Sequence, residues 1–343
     1  MESLLFTVPV LVVSILIVIW VSGALFLDVG RAFLLGGLLA VSWLLLASGA
    51  LVFWHPLWKP FLTLLILTGV FLWWWFSQQP SNDRNWASGY SVLPRVNLKG
   101  DILTLKNVRN TEYRTPDDFT PRYETRSVRL SKLCGVDAVI AFWGSDRMCH
   151  PMFVFDFGSD GRICISIEVR YRVGQVYNFW RSLYRQQEII YVVCDERDAI
   201  LLRTKYRRGE DLYLYRLDVD ALNVRCFFFE YASSINALCD RARWYHGLTS
   251  NCTTSIYGQG RGRLQWDWRV LFNGTLDRLM YERGFLNQQP PFETLKQRSW
   301  INEIANRAPE EGFGDFIRQE LPGYQVRVGC DSQEFDMCEG RQA

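Results

Sequence analysis

Only three histidines occur in the 343 residues, and this limits where a proton can be taken and returned. His55 lies between two apolar runs, which leaves His150 and His246 as bases for the rest of the chain. His150 opens the stretch "HPMFVFDFGSDGRICISIEVR", in which Phe153, Phe155 and Phe157 alternate on one arm and Ile163, Ile165 and Ile167 on the other. Such alternation describes two strands, each with one strongly apolar face and one mixed face. Opposed residues of an antiparallel pair share a face, so matching the Phe row to the Ile row requires odd positions to oppose odd ones. A two-residue loop at Ser159 and Asp160 would break the match. A three-residue loop with a bulge, permitted by Gly158 or Gly161, restores it and sets His150 opposite Glu168. A carboxylate there would fix the imidazole tautomer and stabilise the imidazolium.

Such a pair needs a nucleophile from elsewhere in the chain, and the nine cysteines all lie after position 130. In "HGLTSNCTTSI" Cys252 follows Ser250 and Asn251, residue types that cap helices. A cysteine in a first helical turn has its thiolate favoured by the dipole and by free amides, which could also form half of an oxyanion hole. The residues alone leave alternatives open. A free cysteine is commonly a small buried hydrophobe, and "NCT", like "NGT" at Asn273, is also a glycosylation acceptor pattern. His150 could be a structural histidine, and Glu168 could simply pair with Arg170. Cys330 and Cys338 form a candidate disulfide in the tail. No Cys/His cluster has metal-ligand spacing, so no metal is expected.

The elements that must position these groups begin with a membrane region. Three apolar runs, at about 4–27, 32–54 and 60–76, are long enough for helices across a hydrocarbon core of roughly 30 Å. The last ends in Trp73, Trp74 and Trp75, an aromatic-belt composition. A turn-rich stretch at 79–89 reads as a linker, 90–290 as the domain carrying the chemistry, and 291–343 as an extension. Within the domain, "RVNLKGDILTLKNV" reads as two strands about a Lys-Gly turn, and "VDAVIAFW", "EIIYVVC" and "DLYLYRLDV" as further strands. Asp220 to about Arg243 suits a helix. Strands and helices mix without strict βαβ alternation, which favours α+β. Lys and Arg total 38 against 36 Asp and Glu, so there is no nucleic-acid footprint.

The motifs "LKNVRNTEYRT", "CHPMFVFDF", "ISIEVR", "DERDAILLRT" and "WYHGLTSNCTT" resemble, in order, those of the Lnb N-terminal periplasmic domain family, over roughly residues 85–290. The order His, acid, Cys is also similar to that of the circularly permuted NlpC-type papain-like superfamily. The resemblance implies a papain-like domain with an antiparallel sheet and a triad of Cys252, His150 and Glu168. It also marks Arg109, Tyr113, Asn251 and Tyr245 as substrate-binding candidates, and Asn107, Arg114, Arg197 and Asp198 as further motif positions. A guanidinium at Arg109 or Arg114 would suit a phospholipid phosphate, while Arg197 and Asp198 could form an ion pair that holds a loop. The chain departs from the family pattern at Cys149 and Pro151, where a second thiol and a stiff residue flank the base.

By this resemblance the chain is expected to be a multi-pass protein of the bacterial inner membrane with its catalytic domain in the periplasm. It would move an acyl chain from a membrane phospholipid, through a Cys252 thioester, to the amine of a lipoprotein or lipopeptide, with no cofactor. The alternatives are a periplasmic cysteine hydrolase acting on a peptidoglycan amide or lipid ester, and a non-catalytic envelope binding module.

Overall fold

A computed structural model describes residues 2–29, 33–143, 145–259, 267–270 and 273–324. The chain forms two compact units: Met1–Ser81 with Val176–Glu188 and Arg243–Gly247, and Asn82–Gln175 with Ile189–Ala242 and Leu248–Ala343.

The first unit is built on three helices, α1 (Glu2–Ala24), α2 (Phe33–Phe53) and α3 (Trp58–Ser77). All three carry spans long and apolar enough to cross a membrane: Thr7–Val29, Leu34–Phe53 and Trp58–Ser77. Val18, Ala47 and Leu64 pack at their shared centre, while Leu38, Leu46 and Val70 point outward. Outward apolar side chains on helices that satisfy their own backbone groups suit a hydrocarbon solvent.

The second unit is a mixed α/β domain around a mostly antiparallel sheet. The strands are β1 (Arg95–Lys99), β2 (Ile102–Arg109), β5 (Tyr123–Arg129), β6 (Gly135–Trp143), β7 (Ser145–Asp156), β8 (Arg162–Arg170), β9 (Glu188–Asp195) and β10 (Glu210–Arg216), with a small separate pair, β3 (Glu112–Tyr113) and β4 (Phe119–Thr120). Their order is β1-β2-β9-β8-β7-β6-β10, with β5 also on β2. Only the β2–β9 contact is parallel among the described pairings. The Lys-Gly turn falls where expected, Gly100 supplying φ +60° between β1 and β2.

One face of the sheet is covered by α6 (Ala221–Asp240), which Asp220 caps by accepting the Asn223 N–H at 2.8 Å. The Phe row of β7 meets it ring to edge, Phe153 on Phe227 and Phe155 on Phe228, both at 5.1 Å. On the other face Met152, Val154 and Cys164 pack with α5 (Glu196–Leu201), α10 (Asn302–Arg307) and α11 (Phe313–Phe316) through Ile200, Ala305 and Phe313. Arg318 adds a buried ion pair to Asp137 on β6 at 2.6 Å. Residues after 290, set apart by composition as an extension, thus complete the core of the same domain as far as they are described. The stretch 79–89 is no slack tether either: Asn82 Nδ2 donates to Leu238 O at 2.8 Å, and Trp86 is buried under Arg170, whose guanidinium sits 4.1 Å from the ring centre.

Candidate active site

The hairpin that carries the base has the register its hydrophobic rows demand. Phe153 opposes Ile165 and Phe155 opposes Ile163, with Met152 opposite Ser166 on the other face. Three residues, Gly158–Asp160, make the loop, closed by Phe157 N–H on Gly161 O at 2.9 Å, with φ +56° at Gly158 and +95° at Gly161. The backbone ladder stops at Met152 and Ser166, and the next residue, Pro151, has no N–H to donate. Beyond it the pair is made by side chains: His150 Nε2 lies 3.1 Å from Glu168 Oε1.

Ser166, buried between the two, supplies a link that alternation alone had not marked as functional. His150 Nε2 is 2.7 Å from Ser166 Oγ, and Ser166 O–H donates to Glu168 Oε1 at 2.7 Å. With the hydroxyl proton given to Glu168, Ser166 accepts from Nε2–H, which fixes that tautomer and turns Nδ1 away as the basic nitrogen. Glu168 Oε1 also accepts from Arg203 Nη2 at 2.8 Å, from the turn Leu202–Tyr206 that follows α5. No sequence signal ties Arg203 to Glu168.

Burial alone would lower the His150 pKa. The Glu168 charge, with hydrogen bonding to the Glu168 carboxylate and to Cys252, wins and holds it at about 9. Burial likewise raises Glu168, but His150 and Arg203 hold it well below the usual carboxylate range. The side chains are largely enclosed, His150 at 13% and Glu168 at 18% exposure, so little water screens the pair.

Cys252 is the first residue of α7 (Cys252–Gln259), which packs against β7 and β8. Its thiol is buried, and its proximity to the His150 ring is one cause of the raised histidine pKa. Asn251 is the helix cap: its Oδ1 accepts from Thr253 N at 2.9 Å and Thr254 N at 2.8 Å. The amides that Asn251 caps are those of Thr253 and Thr254, not that of Cys252. Cys149, the expected second thiol, is fully buried, and burial with the charge of Cys252 pushes its pKa well up, so it stays a protonated, weak nucleophile. Alongside α7 runs a cavity of about 210 Å³ lined mostly by apolar side chains, among them Phe153, Val224, Phe227, Ile256, Leu279 and Phe285.

The other expected residues have partners of their own. Arg109 is buried and grips Asp198, Nη2 to Oδ1 at 2.7 Å and Nε to Oδ1 at 3.2 Å. Tyr113 O–H donates to the same oxygen at 3.3 Å and Thr111 N–H to Oδ2 at 2.6 Å. A phosphate at Arg109 would have to break that ion pair. The expected pairing of Arg197 with Asp198 is replaced: Arg197 reaches Glu310 instead. Arg114 pairs with Asp118 in an exposed turn, and Asn107, at φ +61°, donates through Nδ2 to Leu93 O at 2.8 Å. Tyr245 and His246 belong to the first unit, where Tyr245 is buried and its N–H donates to Gln187 O at 2.8 Å. Cys330 and Cys338 lie outside the described residues. Among the described residues no three His, Cys, Asp or Glu side chains converge to hold a metal ion.

Comparison with known proteins adds one match. No curated protein and no solved structure is significantly similar to the chain. Residues 119–263 match the family model described as the Lnb N-terminal periplasmic domain; Arg109 and Tyr113 fall outside that range, and His150, Glu168 and Cys252 inside it. Ahead of the match stand three helices long and apolar enough to cross a membrane, so the chain reads as a membrane protein whose residues 119–263 are similar to the Lnb N-terminal periplasmic domain family.

Proposed function

We propose that the chain is a multi-pass thiol acyltransferase of the bacterial inner membrane, with a circularly permuted papain-like arrangement in which Cys252 is the nucleophile, His150 the base and acid, and Glu168 its orienting carboxylate. The observation that carries the reading is the relay from Glu168 through Ser166 to His150, with the Cys252 thiol on the same ring. A His150 pKa of about 9 favours the imidazolium at neutral pH, which can give a proton to a leaving group.

In the first half-reaction the Cys252 sulfur attacks an ester carbonyl of a phospholipid. A C–S bond forms, the ester C–O bond breaks, and imidazolium gives its proton to the leaving glyceryl oxygen, releasing lysophospholipid. The Cys252 amide stabilises the tetrahedral oxyanion. In the second, the α-amine of a lipoprotein or lipopeptide attacks the thioester. A C–N bond forms, the C–S bond breaks, and His150 takes the amine proton, restoring the imidazolium beside the Cys252 thiolate. No cofactor is called for. The apolar cavity along α7 suits an aliphatic chain better than a sugar or a peptide, which supports lipid over peptidoglycan as the donor.

The protein in phospholipid nanodiscs, given a diacylated lipopeptide, is expected to yield N-acylated lipopeptide and lysophospholipid by mass spectrometry, with Cys252→Ala yielding neither. Release of free fatty acid with no N-acyl product would overturn the transferase reading in favour of a hydrolase.

A further inference from the structure

Between β8 and β9 the chain leaves the sheet, and residues Val176–Glu188 belong to the unit of the membrane helices. They are locked to helix ends. Tyr184 stacks on Trp20 of α1 with ring centres 6.2 Å apart, and a Cβ on Gly23 would fall 2.0 Å from the Tyr184 oxygen, so only glycine admits this contact. Arg185 covers the Trp75 ring at 4.2 Å and donates from Nη1 to Gln78 O at 2.6 Å. Gln186 Nε2 donates to Leu27 O at 2.8 Å and to Asp28 Oδ1 at 2.5 Å, and Trp75 Nε1 donates to Asp28 Oδ2 at 2.7 Å. Asp28 and Trp75 stand at the same ends of the spans Thr7–Val29 and Trp58–Ser77, where hydrocarbon gives way to headgroups.

Just before this lock, Val176 is 79% exposed, Tyr177 39%, Phe179 41% and Trp180 71%, with Arg181 exposed beside them. A loop meant for water does not present four large apolar side chains within five residues. Tryptophan, tyrosine and arginine side by side are what an interfacial segment uses, rings among the acyl-chain ends and guanidinium at the phosphates.

We propose that residues 176–181 are inserted in the interfacial layer of the phospholipid leaflet, a second attachment beyond the three helices. The leaflet is the occupant because the segment is continuous, through Tyr184, Arg185 and Gln186, with the helix ends that mark the bilayer surface. Just after the segment, Ser182 O accepts the Gly247 N–H at 2.9 Å, which ties it to the other part of the same unit.

A benzoylphenylalanine photo-crosslinker placed at position 180, at Ile66 on the outward face of α3, and at the exposed Asp117 tests this in nanodiscs. Lipid adducts at 180 and 66 but not at 117 are expected. Adducts at 66 with none at 180 overturn the proposal. A second arm rests on the acyltransfer reading: Phe179→Ser/Trp180→Ser is expected to slow transfer from bilayer phospholipid about 10-fold and leave transfer from a short-chain monomeric donor unchanged. Equal slowing with both donors overturns the proposal that these side chains engage the bilayer, whereas a wild type inactive with either donor overturns the acyltransfer reading and leaves the crosslinking result standing.

Discussion

Two of the domain's buried ion pairs are built from the same ingredients, a carboxylate and a nitrogen cation, and only one of the two includes a cation that can lose its proton. At Asp198 the partner is Arg109, which stays charged at any working pH, and Thr111 and Tyr113 complete the carboxylate's hydrogen bonds. That pair is closed around its carboxylate, which accepts from Arg109, Thr111 and Tyr113 and so ties β2 to α5. At Glu168 two cations meet the carboxylate, Arg203 and an imidazole, and only the imidazole can lose its proton, with the Cys252 thiol near enough to act on its pKa. The contrast teaches that burial and charge alone do not mark a catalytic site. What marks it is a titratable member with a reactive neighbour.

Four substitutions sharpen or break the contrast, and the largest effect is expected at the open pair. His150→Ala should lower acyl transfer by roughly 10²–10⁴-fold, the ordinary scale of a lost acid–base group. A loss under 10-fold in the transfer assay would put His150 on the structural side. At the closed pair the effect should fall on stability instead. Asp198→Ala strands the buried Arg109 charge and is expected to cost about 3–5 kcal/mol in denaturant unfolding, while Cys252 in the folded fraction alkylates at the wild-type rate.

Glu168→Gln keeps the shape and removes the charge that raises His150. Activity of the wild type should fall as pH rises through about 9, when the imidazolium is lost. In the variant that alkaline limb should move toward or below roughly 6.5, the unperturbed value for histidine. The same linkage acts on stability. A histidine raised in the folded state adds stability that is full below roughly pH 6.5 and lost as pH climbs to about 9, so wild type should lose unfolding free energy across that window and Glu168→Gln should not. The smallest effect belongs to the cap: Asn251→Ala should cost about 1 kcal/mol. Glycosylation of Asn251 in a competent host would contradict its capping geometry.

How much of this could be read in advance depends on the range of the interaction. The hairpin register was legible because two rows of large apolar residues leave only one parity that buries both. From that parity His150 and Glu168 had to meet. Ser166 lay on the predicted face, but an alternating pattern does not distinguish a hydroxyl that relays from one that is merely tolerated. Arg203 was hidden because its contact depends on how the turn after α5 folds back, which no local pattern encodes. Arg197 and Asp198 misled for a local reason: adjacent residues on a helix point about 100° apart, so the two go to different partners. The helices after 290 were missed because elements of four to seven residues are too short to show a period.

Asp28 has a consequence for how the molecule is made. Its two oxygens are satisfied by Trp75 and by Gln186, which follow it by 47 and 158 residues. At roughly 5–20 residues per second, the ribosome delivers Gln186 about 10–30 s after Asp28. For that interval the end of the first span carries a carboxylate still waiting for its last partner. Final seating of α1 is therefore a late event in biogenesis, completed only after most of the domain's hairpins have emerged.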